Sequence, residues 1–239
     1  MRRQNKKAEL ALQSVPFFSN LKSEEVSKLA DRLVIRRFGV GQVIFHHGDP
    51  GGLLYIITNG KVKITHSTLD GQEALLAILG NGDFFGELAL LDDSPRSATA
   101  EALEPTETLT LHRTDFRRFI GSNPDFSMHV LQSMARHIRR LNSQLSDIFF
   151  LDLPGRLART LLRLADEHGK PMEEGILIDL ALTQTDLAEM TGATRVSINK
   201  ALGRFRREGW VETKGRQFRI LDRDSLENLI LISGGSAYT

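Results

Sequence analysis

The chain has 239 residues, a formal net charge of +1 and no cysteine, with 41% apolar and 26% charged residues. That length accommodates two compact domains, and the composition is that of an ordinary globular protein. The missing thiols exclude disulfide scaffolds, cysteine-ligated iron–sulfur clusters and thiol redox sensing.

The basic start, Met1 to Lys7, precedes no long apolar stretch and does not read as a secretory signal. No run of about 18 apolar residues suggests a membrane span, so a cytoplasmic protein without membrane partners is expected. Residues 23–33 read as a helix capped by Ser23, with Val26, Leu29, Ala30 and Leu33 on one side. Short strands are then expected over 41–45, 53–57, 60–64, 74–79 and 106–111, with Asn59-Gly60 and Asp70-Gly71 as turn signals. Strands at this spacing predict an antiparallel β-roll or jelly roll, and with it an α+β chain whose sensor domain spans 1–122.

Within that domain, residues 82–100 form a distinct motif. Gly86 permits close backbone approach, and Glu87, Leu88 and Ala89 begin a short helix whose free N–H groups would face an anion. Arg96 and Ser97 add a guanidinium fork and a hydroxyl, while Glu87 can accept from a sugar hydroxyl. The set suits a ribose joined to a phosphate; the plainer alternative is an Arg96–Glu87 salt bridge closing a buried turn.

A long helix follows over 123–150. Leu131, Met134, Ile138, Leu141, Leu145 and Ile148 recur in alternating steps of three and four, the spacing of a coiled-coil seam. A parallel homodimer along this helix is expected, the alternative being a helix packed within its own domain. Asp152 caps a new helix with Pro154 in its first turn, which puts a hinge near 149–152 and opens a third region, 151–239.

Residues 182–202 read as two short helices around a glycine turn. Thr183 caps the first, Gly192 makes the turn and Thr194 caps the second, on which Ile198, Leu202 and Phe205 are the buried side. Arg195, Val196, Ser197, Asn199, Lys200 and Arg204 remain for other faces, with Arg195 near the end that reads base edges in a major groove. Two strands joined by Lys214-Gly215-Arg216 then form a wing. From Arg195 to Arg219 eight basic residues face only Glu208 and Glu212. Basic charge is thus concentrated beside a helix-turn-helix, as phosphate contacts require. The last residues, 233–239, read as a flexible end.

Taken together, residues 86–91 with 95–100, the hinge 149–156 and the stretch 182–202 resemble the CRP/FNR family of bacterial transcription regulators, in matching order from about residue 15 to 221. The resemblance implies that Glu87 holds a ribose hydroxyl and that Arg96 and Ser97 hold a cyclic phosphate, with cyclic AMP the favoured effector and no prosthetic group. It places Leu141 and Asn142 where cyclic AMP-responsive members put two polar residues on the adenine; Leu141 departs from that pattern. Members reading a TGTGA-like half-site carry Arg-Glu early in the second helix and another arginine one turn on. Here Arg195, Val196 and Lys200 stand at those places, so a palindromic operator with an altered half-site is expected. RNA polymerase contact is implied as well. An enzyme or metal site finds little support: His46 and His47 are neighbours, which on a strand point to opposite faces. An effector-independent regulator, or one sensing another nucleotide, is the remaining alternative.

Overall fold

A computed structural model describes residues 29–67 and 73–235. The basic start, most of the expected 23–33 helix, the Asp70-Gly71 turn and residues 236–239 lie outside them. The described residues up to Arg136 form one compact unit and those from His137 onward a second.

The first unit contains strands β1 (Val34–Phe38), β2 (Val43–Phe45), β3 (Leu53–Asn59), β4 (Val62–Ser67), β5 (Glu73–Leu79), β6 (Phe84–Phe85), β7 (Thr99–Ala102) and β8 (Thr106–His112), with a single-turn helix α1 (Leu88–Leu91). They form two four-stranded antiparallel sheets, ordered β1-β8-β3-β6 and β2-β7-β4-β5. All five strands expected from turn signals and apolar runs are present. β1, β6 and β7 are additional; β6 and β7 are too short for a period-2 pattern to stand out.

β3 organises the core because it is buried on both faces, which is why its sequence is a nearly unbroken apolar run. Leu54 and Ile56 pack with Leu109, Leu111, Phe116, Phe126 and Val130, whereas Tyr55 and Ile57 pack with Val62, Phe85 and Ala100. The first cluster draws on α2 (Arg113–Ser122) and the start of α3 (Pro124–Phe150). Phe126 meets Phe116 and Phe119 edge-on, with centroids 6.0 and 5.2 Å away. Burying each such ring contributes about 1.5–3 kcal/mol. The break between α2 and α3 is set by Asn123, whose Oδ1 accepts from Phe126 N at 2.9 Å, and by Pro124, which suits a helix start.

α3 does not present all of its expected seam. Met134 packs against the first unit's core. Leu131, Ile138, Leu141, Leu145 and Ile148 are 42–59% exposed and continue the stripe.

In the second unit, Asp152 caps α4 (Leu153–His168), its Oδ1 accepting from Gly155 N and Ser233 Oγ, each at 2.8 Å. After it come β9 (Gly169–Pro171), β10 (Ile176–Ile178), α5 (Gln184–Thr191), α6 (Arg195–Arg207), β11 (Val211–Lys214), β12 (Gln217–Ile220) and α7 (Arg223–Gly235). The sheet runs β11-β12-β10-β9. α7 extends order to Gly235, so residues 233–235, expected as part of a loose end, are helical; Leu226, Leu229 and Ile230 anchor it by burial. The C-terminal half of α3 is tied to α4 by Arg140–Glu167 at 3.1 Å and Asp147–Arg159 at 3.6 Å.

Candidate functional site

The 82–100 motif folds around one guanidinium. Gly86 follows β6 with φ +81°, a conformation that glycine adopts without strain. A Cβ there would run into the Arg96 side chain and come within 3.2 Å of the Leu53 carbonyl. Arg96 Nη1 donates to Gly86 O at 2.7 Å and Nη2 to Leu53 O at 2.8 Å. Its guanidinium carbon lies 4.2 Å above the Phe45 ring and 5.7 Å from that of Tyr55. Phe45, Tyr55 and Phe85 contact one another, and Tyr55 stacks on Phe85 with centroids 5.1 Å apart.

Arg96 is only 4% exposed, and its Nε is buried without a hydrogen-bond partner among the described residues. Burial lowers its pKa, against the opposing pull of Tyr55 and Glu87. The Glu87 carboxyl is pushed up by burial, opposed by its own backbone N–H and by Arg96. The alternative of a direct Arg96–Glu87 bridge is not what forms, since both terminal nitrogens of Arg96 go to carbonyls. The direct hydrogen-bond partners of this buried cation are neutral carbonyls, and carboxylates act on it only through the attraction of Glu87 and Asp49, an arrangement that favours an anion beside it.

The helix expected after Gly86 is a single turn, α1, with Glu87 at its N-cap and Leu88 partly exposed. So short a helix adds little dipole, and Arg96 dominates the local field. Its C-terminal carbonyls are taken up by α2: Arg113 donates to Ala89 O at 3.0 Å and Arg117 to Leu90 O at 2.9 Å. Both arginines also pair with Asp93, which holds a left-handed φ of 61°. This clamp fixes the loop that returns the chain to Arg96. Ser97 is exposed. Leu141 and Asn142 belong to the second unit, where both are exposed on α3.

The second constellation lies on α5, α6 and the β11–β12 hairpin. Thr183 and Asp186 form a reciprocal capping box that opens α5. Gly192 ends it with φ 64° and ψ 45°, the left-handed geometry expected of that turn. Thr194 caps α6, its Oγ1 accepting from Ser197 N at 3.2 Å. Ile198, Ala201, Leu202 and Phe205 are buried, leaving Arg195, Val196, Asn199, Lys200 and Arg207 exposed. Val196 is 66% exposed, high for an apolar side chain. Asn199 accepts from Gln184 Nε2 at 3.4 Å, linking the two helices on their outer side.

The basic residues of this region divide into two groups. Arg219 is paired to Glu212, with Nε 2.8 Å from Oε2. Arg206 donates to Thr213 at 3.1 Å, and Arg204 lies 5.7 Å over Trp210. Arg195, Lys200, Lys214 and Arg216 are exposed, the last two at the hairpin tip beside Gly215, φ 62°. Thus Arg219, counted with the phosphate-facing charge from sequence, serves the hairpin instead. Phe45, Tyr55 and the Leu53 carbonyl were legible only as strand residues; nothing local marks them as neighbours of Arg96.

Residues 35–123 match the cyclic nucleotide-binding domain family, and residues 155–229 the Crp-like helix-turn-helix domain family. The chain is 36% identical over 209 residues to the CRP-like cAMP-activated global transcriptional regulator of Mycobacterium tuberculosis, covering 87% of this chain and 93% of that protein. It is 34% identical over 196 residues to the cyclic AMP receptor protein of Thermus thermophilus, covering 82% and 88%. Its fold is similar to the crystal structure of a CRP-family transcriptional regulator from Thermus thermophilus, with a TM-score of 0.70, 28% identity and coverage of 82% and 96%.

Proposed function

We propose that this chain, which belongs to the CRP/FNR family of transcription regulators, works as a homodimer that binds cyclic AMP and, with it, palindromic operator DNA. It carries a cyclic nucleotide-binding domain and a Crp-like helix-turn-helix, and its relatives are transcription regulators, not enzymes.

The observation that carries the effector reading is the buried Arg96 guanidinium beside Glu87, its Nε without a hydrogen-bond partner among the described residues. The cyclic phosphate accepts from Arg96 and Ser97, with the Gly86-Glu87-Leu88 backbone close by, and Glu87 accepts from the ribose hydroxyl. Asn142 and Leu141 on α3 face the base. The exposed stripe Leu131, Ile138, Leu141, Leu145 and Ile148 is the seam between protomers. Two α6 helices then reach successive major grooves about 34 Å apart. Thr183, Thr194, Ser197, Lys200, Arg204, Lys214 and Arg216 meet the backbone, and Arg195, Val196 and Asn199 the base edges. The effector shifts this equilibrium only by binding the DNA-competent state more tightly. Acting in the cytoplasm, the bound dimer touches or blocks RNA polymerase.

A second reading has its own support: Leu141 offers no hydrogen bond to a base, and both terminal nitrogens of Arg96 already have carbonyl partners. On that reading the regulator is effector-independent or takes another nucleotide. Calorimetric titration with cyclic AMP separates the two. Saturable heat that disappears in Arg96→Ala supports the first reading; no heat and no thermal stabilisation favours the second.

A further inference from the structure

α6 carries a glycine that its own fold does not need. Gly203 lies inside the helix, and its φ is not in the left-handed region. An added Cβ would meet only Arg207 Nη1 at 3.8 Å and Arg206 Nη2 at 3.9 Å, ordinary contacts with the ends of flexible side chains. Alanine would therefore fit, and it would also favour the helix, because an interior glycine loses backbone entropy. Neither packing nor conformation within the chain explains the residue.

Its position does. Val196, Asn199, Lys200, Gly203 and Arg207 line one shallow concavity on the outer face of α6. At 3.6 residues per turn this stripe is diametrically opposite the buried Ile198, Ala201, Leu202 and Phe205. The stripe changes character along its length. Val196 and Asn199, in its first half, have an apolar surface and an amide, groups that distinguish base edges. Lys200 and Arg207 stand about one turn to either side of Gly203, where nothing but a hydrogen projects. Two cations around a gap, with no side chain between them to reach a base edge, fit a phosphate drawn close to the helix.

We infer that a sugar-phosphate strand crosses α6 at Gly203, with its phosphate bracketed by Lys200 and Arg207. The glycine admits the backbone, and the cations hold it. This rests on the reading of α6 as the DNA-recognition helix. Gly203 is then a positioning residue that sets how deeply the first half of the helix enters the groove.

The test exploits effects of opposite sign. An operator is first selected from random DNA with the wild-type protein, in parallel with and without saturating cyclic AMP, the condition that yields an operator being kept for the titrations, and a scrambled duplex of equal length is the companion probe. Wild type, Gly203→Ala and Arg207→Ala are melted without DNA and titrated with both duplexes over a range of salt. The expected result is that Gly203→Ala melts higher than wild type yet binds both duplexes about tenfold more weakly, as loss of a backbone contact would do. Arg207→Ala weakens both and reduces the salt slope by about 1. Unchanged affinity of Gly203→Ala, a loss confined to one base pair, or a lower melting temperature for it would each overturn the inference. Wild-type protein that selects no duplex would instead overturn the DNA reading of α6, and this inference with it.

Discussion

The cradle around Arg96 and the outer face of α6 are both built on positive charge, but in opposite ways. Arg96 is buried, and its neighbours Phe45, Leu53 with Tyr55, and Gly86 come from three separate stretches of chain. The α6 cations are exposed, and a single helix period arranges them. A buried cation loses its hydration and depends on each neighbour, so removing one partner has a large effect. Exposed cations remain hydrated and screened, contribute modestly one by one, and act through their number.

That contrast can be broken most directly at Arg96. Arg96→Ala strips the Gly86 and Leu53 carbonyls of their donor and opens a cavity beside Phe45. Each acceptor left unpaired costs about 1–3 kcal/mol, so chemical denaturation should show the ligand-free variant destabilised by at least that much. A fully stable variant would mean that the guanidinium is not structurally held. On the DNA side, Arg195→Ala should cost about 1–3 kcal/mol of operator affinity and relax selectivity at one base pair. Arg216→Ala should weaken all duplexes alike and lower the salt slope; equal selectivity loss from both changes would contradict the division between base and phosphate contacts. Smaller again is Thr183→Ala, which removes half of the α5 capping box and should lower unfolding free energy by about 1 kcal/mol.

Glu87 sharpens the comparison through pH. Its carboxyl titrates above its ordinary value of 4.5 because burial opposes the charged form. Between 4.5 and the raised value the folded state holds the proton more firmly than the unfolded state does, so this group's contribution to stability falls as pH rises through that window. Glu87→Gln should therefore gain melting temperature relative to wild type on going from pH 4 to neutrality. A constant difference would indicate that Glu87 is effectively solvated.

The same contrast explains what could be read in the sequence. The helix-turn-helix was legible because its signals are local: Thr183 with Asp186, Gly192 and Thr194 act within a few residues of themselves, and the α6 period lies in one segment. The five β-roll strands were legible from turn residues flanking apolar runs. β6, β7, β9 and β10 span only two to four residues and show no period. The run Leu229 to Ile232 in α7 is continuously apolar and does not declare which side is buried, although Ile230 is inside and Leu231 and Ile232 are 72% exposed. In the cradle, Gly86, Glu87 and Arg96 stood out, but not the aromatic bed beneath Arg96 or the clamp of Arg113 and Arg117 on Asp93. Those depend on tertiary neighbours. Met134 shows the same limit: its spacing fits both a partner helix and the first unit's core, and it packs, half-buried, against that core.

The central claim is that occupancy of the Arg96 cradle controls the α6 face. Its most direct test is operator affinity by fluorescence anisotropy, at fixed salt, with and without saturating cyclic AMP, for wild type and Arg96→Ala. The account predicts that cyclic AMP tightens wild-type binding about 5–150-fold, the usual range of allosteric coupling, and leaves Arg96→Ala unmoved. Equal affinity of the wild type with and without cyclic AMP would contradict it.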